Sequence, residues 1–227
     1  MTGKMIKIYL YTRYERSWHW LQMVLIAVLL VTGLEIHGTF TLLGYETAVR
    51  IHNIVGISWL VAFAFFVFWL FTTGEWRQYI PTTKKVLEVA LYYSYGIFRG
   101  EPHPVPKRKD AKHNPLQRLT YLGVAMILLP AQMVTGLLYW TYNSWPARGL
   151  DGLTLGMVAF VHTALAFGIL IFMVVHVYMT TTGHTVFAHI KGMITGWEEI
   201  EEGTIIEDWE HKSKGDYPRP TPDPKIS

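Results

Sequence analysis

Four apolar stretches, at about residues 18–36, 51–72, 119–140 and 155–180, constrain this chain more than any other feature of its sequence. Each is long enough to cross about 30 Å of hydrocarbon as a helix of roughly 20 residues. Lipid offers no partner to an unpaired backbone group, so each stretch must be a helix that satisfies its own hydrogen bonds. The expected fold class is an all-α membrane protein, a four-transmembrane-helix bundle. The first stretch is not a signal peptide on this reading. It begins only near residue 18, contains His19 and runs into Glu35 without a small-residue cleavage site.

Composition agrees: 51% of the 227 residues are hydrophobic and 16% charged, more apolar than the usual soluble balance. The absence of cysteine excludes disulfides, thiolate-held iron–sulfur clusters and covalently attached c-type haem. The formal charge of +3 is explained by topology rather than by a nucleic-acid partner. Of the 20 Lys and Arg residues, only Arg50 and Arg148 fall in the connections expected on one side of the membrane, at about 37–50 and 141–154. The rest flank the other side, which makes both termini cytoplasmic by the positive-inside rule.

Residues 81–100, beginning at Pro81, mix apolar, aromatic and basic residues and are expected to lie on the inner surface as an interfacial helix between spans 2 and 3. The following EPHPVPKRKDAKHN reads as an irregular solvated loop. Residues 1–200 form the expected helical domain, and 201–227, rich in proline and charge, a cytoplasmic tail. A short internal echo pairs LLVTGLEI at 29–36 with QMVTGLLY at 132–139, both at outer ends of spans.

The chemistry rests on His19, His52, His162 and His176. Histidine inside a span is costly and is a functional candidate for that reason. The alternation of span directions puts His52 and His162 near the outer surface and His19 and His176 near the inner one. The separation of His162 and His176 is a rise of about 21 Å, close to a whole number of turns, so one face of the fourth helix presents both. Depth thus pairs His52 with His162 and His19 with His176. Two stacked bis-histidine sites suit two haem b groups, each axially ligated from facing helices. Gly33, Gly56, Gly136 and Gly168 are candidates to give the rings clearance. His184 and His189 beyond the last span read as interfacial.

The segments ERSWHW (15–20), RIHNIVGI (50–57), KHNPLQRLTYLGVAMILLPAQMVTGLLYW (112–140), FVHTALAFGILIFMVVHVYM (160–179) and HIKGMITG (189–196) resemble the cytochrome b subunit of membrane formate dehydrogenases. That group is di-haem and cytochrome b561-like, and includes the cytochrome b subunits of nickel–iron hydrogenases and thiosulfate reductases. The resemblance spans roughly residues 10–197. It implies the same histidine pairing and a subunit of a hetero-oligomeric oxidoreductase in a prokaryotic cytoplasmic (inner) membrane. Substrate chemistry would lie on extracytoplasmic partner subunits with an iron–sulfur or multihaem relay. It further implies a quinone pocket (menaquinone or ubiquinone) near the inner pair, with Asn114 and Gln117 as its polar groups. Asn114 before Pro115 also reads as a helix N-cap. His113 and Lys112 are candidate proton relays, and Arg13, Arg16, Arg50 and Lys191 candidate partners for haem propionates. The competing expectation is a haem-free membrane anchor or transporter component whose histidines bond between helices or relay protons.

Overall fold

The computed structural model describes residues 5–81, 84–105, 113–150, 152–183 and 185–201. Four helices are long and apolar enough to cross a membrane: Arg13–Ile36 (α1), Tyr45–Thr73 (α2), Pro115–Trp140, and Leu155–Thr180. The third is composite: Pro115–Gly123 (here after α3, Val86–Ser94, numbered α4), a π-helical turn at Val124–Leu128, and Leu129–Trp140 (α5). Leu155–Thr180 is then α6, and a short helix, Ala188–Thr195, is α7. The π turn abuts Pro130, which has no N–H to complete the helical ladder, so the backbone widens just before it.

The spans begin earlier than their apolar content does because polar caps extend them. Thr12 and Glu15 form a reciprocal capping box at the start of α1. Asn114 and Gln117 do the same at α4, with Pro115 at the first turn. Large apolar side chains point away from the bundle, among them Phe68 (66% exposed), Phe160 (74%) and Ile127 (70%). Such a surface belongs against lipid. At the bundle centre Trp59, Met133 and Ile169 are buried with Leu25, Ile26 and Phe63 against them. Ile169 lies midway between His162 and His176 along α6, so this apolar plug separates the two histidine levels.

The first and last described segments come together at one end of the bundle, hereafter the terminal face; the described residues of the 37–44 and 141–154 connections form the opposite, hairpin face. Met5–Tyr9 (β1) pairs antiparallel with Trp197–Glu201 (β2), Tyr9 opposite Trp197. Nothing in the sequence pattern announced this pair. It is fastened by Gly196, whose φ of +88° and whose missing Cβ let Tyr9 and the Tyr11 carbonyl close over it. Leu10 and Tyr11 both donate their N–H to the Gly196 carbonyl.

The expected helix between spans 2 and 3 is present, but it starts only at Val86, after Lys85 in a left-handed conformation (φ 59°), with residues 82 and 83 outside the described residues. It also packs inward, with Val89 fully buried against Val105, Tyr93 and Leu116. Val105 therefore contradicts a wholly solvated loop at 101–114, of which 106–112 lie outside the described residues. The expected tail after Glu201 also lies outside the described residues.

Candidate functional site: two histidine pairs

The structure brings the rings of His52 and His162 to 6.3 Å between centroids, and those of His19 and His176 to 5.9 Å. All four are half-buried. At the hairpin face, His52 of α2 is held from α1: its Nδ1 lies 2.9 Å from Thr32 Oγ1. His162 of α6 is held from α5, its Nδ1 3.0 Å from Thr135 Oγ1. The buried Gln132 approaches the other nitrogen of His162, amide Nε2 to ring Nε2 at 3.1 Å.

The glycines divide. A Cβ on Gly33 would meet His52 Cε1 at 3.3 Å, and one on Gly136 would meet His162 Cε1 at 3.1 Å. Gly56 and Gly168 instead face Leu29 and Leu128, so they serve helix packing rather than the histidines.

At the terminal face the pair is enclosed by aromatic rings. Phe172 stacks on His176 at 5.7 Å, Tyr121 lies edge-on at 6.5 Å, and Trp20 stands edge-on to His19 at 5.5 Å. His19 Nδ1 is buried with no hydrogen-bond partner among the described residues. Trp20 also ties α1 to α7, its Nε1 donating to the Met193 carbonyl at 3.2 Å.

Asn114 and Gln117 are committed to each other. Gln117 N donates to Asn114 Oδ1 (2.9 Å) and Asn114 N to Gln117 Oε1 (3.0 Å), while Asn114 Nδ2 donates to Tyr93 Oη at 3.2 Å. Their acceptor oxygens are used by the cap, leaving amide N–H groups as what they can offer a ligand. His113 sits between the rings of Tyr79 and Tyr121, at 5.5 and 5.1 Å. Lys112 lies outside the described residues, as does His184.

Of the basic residues singled out, Arg13, Arg50 and Lys191 are exposed, and Arg16 donates to the Ile194 carbonyl. Sequence reasoning missed the buried Arg118, whose Nε donates to the His113 carbonyl at 3.1 Å. It also took His189 for an interfacial residue, whereas its Nδ1 lies 2.9 Å from the buried Glu198 carboxylate. Burial raises the Tyr11 phenol above its ordinary range, with the Glu198 charge adding to it. Glu35, noticed only as the end of the first apolar stretch, accepts from the N–H groups of Leu42, Leu43 and Gly44 and so shapes the hairpin-face turn into α2.

Fold and site together define a class, the multi-span membrane bundles with histidines paired across helices at two levels. A family described as prokaryotic cytochrome b561 matches residues 10–196. "Putative cytochrome YdhU" of Escherichia coli (strain K12) is 34% identical over 198 residues, 84% of this chain and 74% of that protein. No solved structure matches the chain. The chain belongs to the prokaryotic cytochrome b561 family and is a membrane haem b electron-transfer protein.

Proposed function

We propose that this chain is a di-haem b-type subunit that carries electrons between an extracytoplasmic oxidoreductase partner and the membrane quinone pool. His52 and His162 would hold the haem at the hairpin face, and His19 and His176 the one at the terminal face. The observation that carries this reading is the ring spacing of 6.3 and 5.9 Å in two pairs stacked along α6. Each pair would hold one metal, since metal–nitrogen bonds of about 2.0–2.1 Å allow two ligating imidazoles ring centres roughly 6 Å apart.

The chemistry of the residues fits the group. The four imidazoles are half-buried, Gly33 and Gly136 leave the hairpin-face rings room, and the Nδ1 of His19 is buried without a hydrogen-bond partner among the described residues. When bound, haem ligated by two imidazoles supplies reversible one-electron transfer, with no open position for oxygen chemistry. The apolar plug of Trp59, Met133 and Ile169 keeps water out of the space between the two levels.

The concentration of Lys and Arg beside the terminal face supports a cytoplasmic orientation for it, and hence an inner-membrane location in a prokaryote. A quinone site there would use N–H donors of Gln117 and Asn114 toward the quinone oxygens, which accept, with His113 as a proton carrier from the cytoplasm. The partner's substrate chemistry lies on other subunits, with an iron–sulfur or multihaem relay.

A pyridine haemochrome count on the purified full chain should give two haem b, and His162→Ala or His176→Ala should each leave one. A count unchanged by both substitutions rejects the ligand assignment; a folded chain without haem supports the anchor or transporter class instead. Gln117→Ala should slow haem–quinone electron exchange by about tenfold with haem retained, in the range seen when groups that orient a redox site are removed. Unaltered kinetics in both Gln117→Ala and Asn114→Ala would remove the pocket.

A further inference from the structure

The Val-Thr-Gly-Leu echo has a physical content at the hairpin face. In α1, Thr32 Oγ1 donates its one proton to the Val28 carbonyl at 2.7 Å, with the Leu29 carbonyl at 3.3 Å. In α5, Thr135 Oγ1 donates to the Ala131 carbonyl at 2.8 Å, with Gln132 O at 3.0 Å. This back-bonding within the helix is usual for threonine and uses its hydrogen. Toward a third group each hydroxyl can only accept. His52 Nδ1 and His162 Nδ1, at 2.9 and 3.0 Å, must therefore carry the ring protons, and the lone pair of each ring falls to Nε2.

The residue after each threonine is a glycine lying against Cε1 of the same ring. One device, a helical Thr-Gly pair, thus occurs twice, on α1 for a histidine of α2 and on α5 for a histidine of α6. Among the described residues no such Thr-Gly pair backs the terminal-face histidines, and His19 Nδ1 is buried there without a hydrogen-bond partner.

We propose that Thr32 and Thr135 are positioning residues for the hairpin-face haem, each fixing its histidine in the tautomer that ligates through Nε2 and strengthening that nitrogen as a donor. This rests on the ligand assignment made under the proposed function. A hydroxyl accepting from Nδ1–H draws the proton and leaves Nε2 more electron-rich. A stronger donor favours the oxidised iron, so removing the hydroxyl shifts the midpoint potential of that haem upward.

The test is a redox titration of the full chain in detergent, following the haem α-band, for wild type and for Thr32→Val, Thr135→Val, Thr32→Ser and Thr135→Ser. The hairpin-face component is identified as the one missing from His52→Ala. Each valine variant should raise the potential of that component alone, and each serine variant should restore it, because serine keeps the accepting oxygen. Loss of the hairpin-face haem alone in a valine variant, restored by serine, supports the same role. Valine variants that titrate as wild type, or that move both components equally, overturn the proposal. A wild-type chain that binds no haem overturns the ligand assignment instead, so the two failures are distinguishable.

Discussion

The two ends of the bundle hold nearly the same histidine pair by different means. At the hairpin face each ring is tied by a hydroxyl from a neighbouring span and backed by a glycine. At the terminal face the rings are packed among Trp20, Phe172 and Tyr121, and the polar groups stand one layer further out, at Asn114, His113 and Tyr93. The contrast teaches that a ring spacing of about 6 Å, that of a two-imidazole metal site, is reached either by directional hydrogen bonds or by shape alone. The first arrangement fixes which nitrogen is presented. The second encloses the pair in aromatic rings and puts its polar groups, Asn114, His113 and Tyr93, one layer further out.

The sharpest way to break this comparison is to fill the glycine side of the hairpin-face pair. Gly136→Ala, and less strongly Gly33→Ala, should push the histidine ring off its position and, on the proposed di-haem reading, take away the hairpin-face haem while the terminal-face one stays. A haemochrome count together with a redox titration checks this, and retention of both haems would show that the glycines serve helix packing only. At the terminal face, Asn114→Ala removes half of the capping box and the donor to Tyr93. It should cost about 1 kcal/mol of stability through the lost cap, read as a lower apparent Tm. Smaller again is Phe172→Leu, which removes the ring stacked on His176. An aromatic pair of this kind is worth about 0.5–1.5 kcal/mol beyond its buried area. The terminal-face component should shift or bind haem more weakly while the hairpin-face component stays where it was.

Much of this was legible before any coordinates. The spans follow from lipid's refusal of unpaired backbone, and the histidine levels from the alternation of direction between them. The ends of the spans were harder, although Thr12 and Glu15 carry a readable capping signal, because caps are polar and an apolar window stops short of them. The strand pair was not readable: five-residue segments at opposite ends of a chain have no periodicity that names their partner. The Val-Thr-Gly-Leu echo was visible, but its meaning needed the third dimension, since each copy acts on a histidine of a different helix. Glu198 and His189 illustrate the same limit, as a hydrogen-bonded pair across a glycine turn looks like two surface residues until the turn closes.

The weakest expected effect probes the outer polar layer of the terminal face through its tyrosines. Burial pushes the Tyr93 phenol up to about 12, with Tyr92 and Tyr121 nearby adding to the shift and the Asn114 hydrogen bond opposing it. Burial raises Tyr79 above its ordinary range too, with the Glu15 charge contributing. Below pH 10 such a phenol is protonated in both folded and unfolded chains, and its contribution to stability is fully present. As pH rises from 10 toward 12 the unfolded phenol ionises first, the unfolded chain is favoured, and the contribution is lost. The apparent Tm should therefore fall across this window. Tyr93→Phe should lower Tm at pH 8, because the hydrogen bonds to Asn114 and His103 are gone. It should also make the alkaline decline shallower, because a titrating group has been removed. A Tyr93→Phe chain whose alkaline decline is as steep as wild type would mean that Tyr93 ionises as an ordinary exposed phenol, and that the polar layer beside the terminal-face pair is open to water rather than packed.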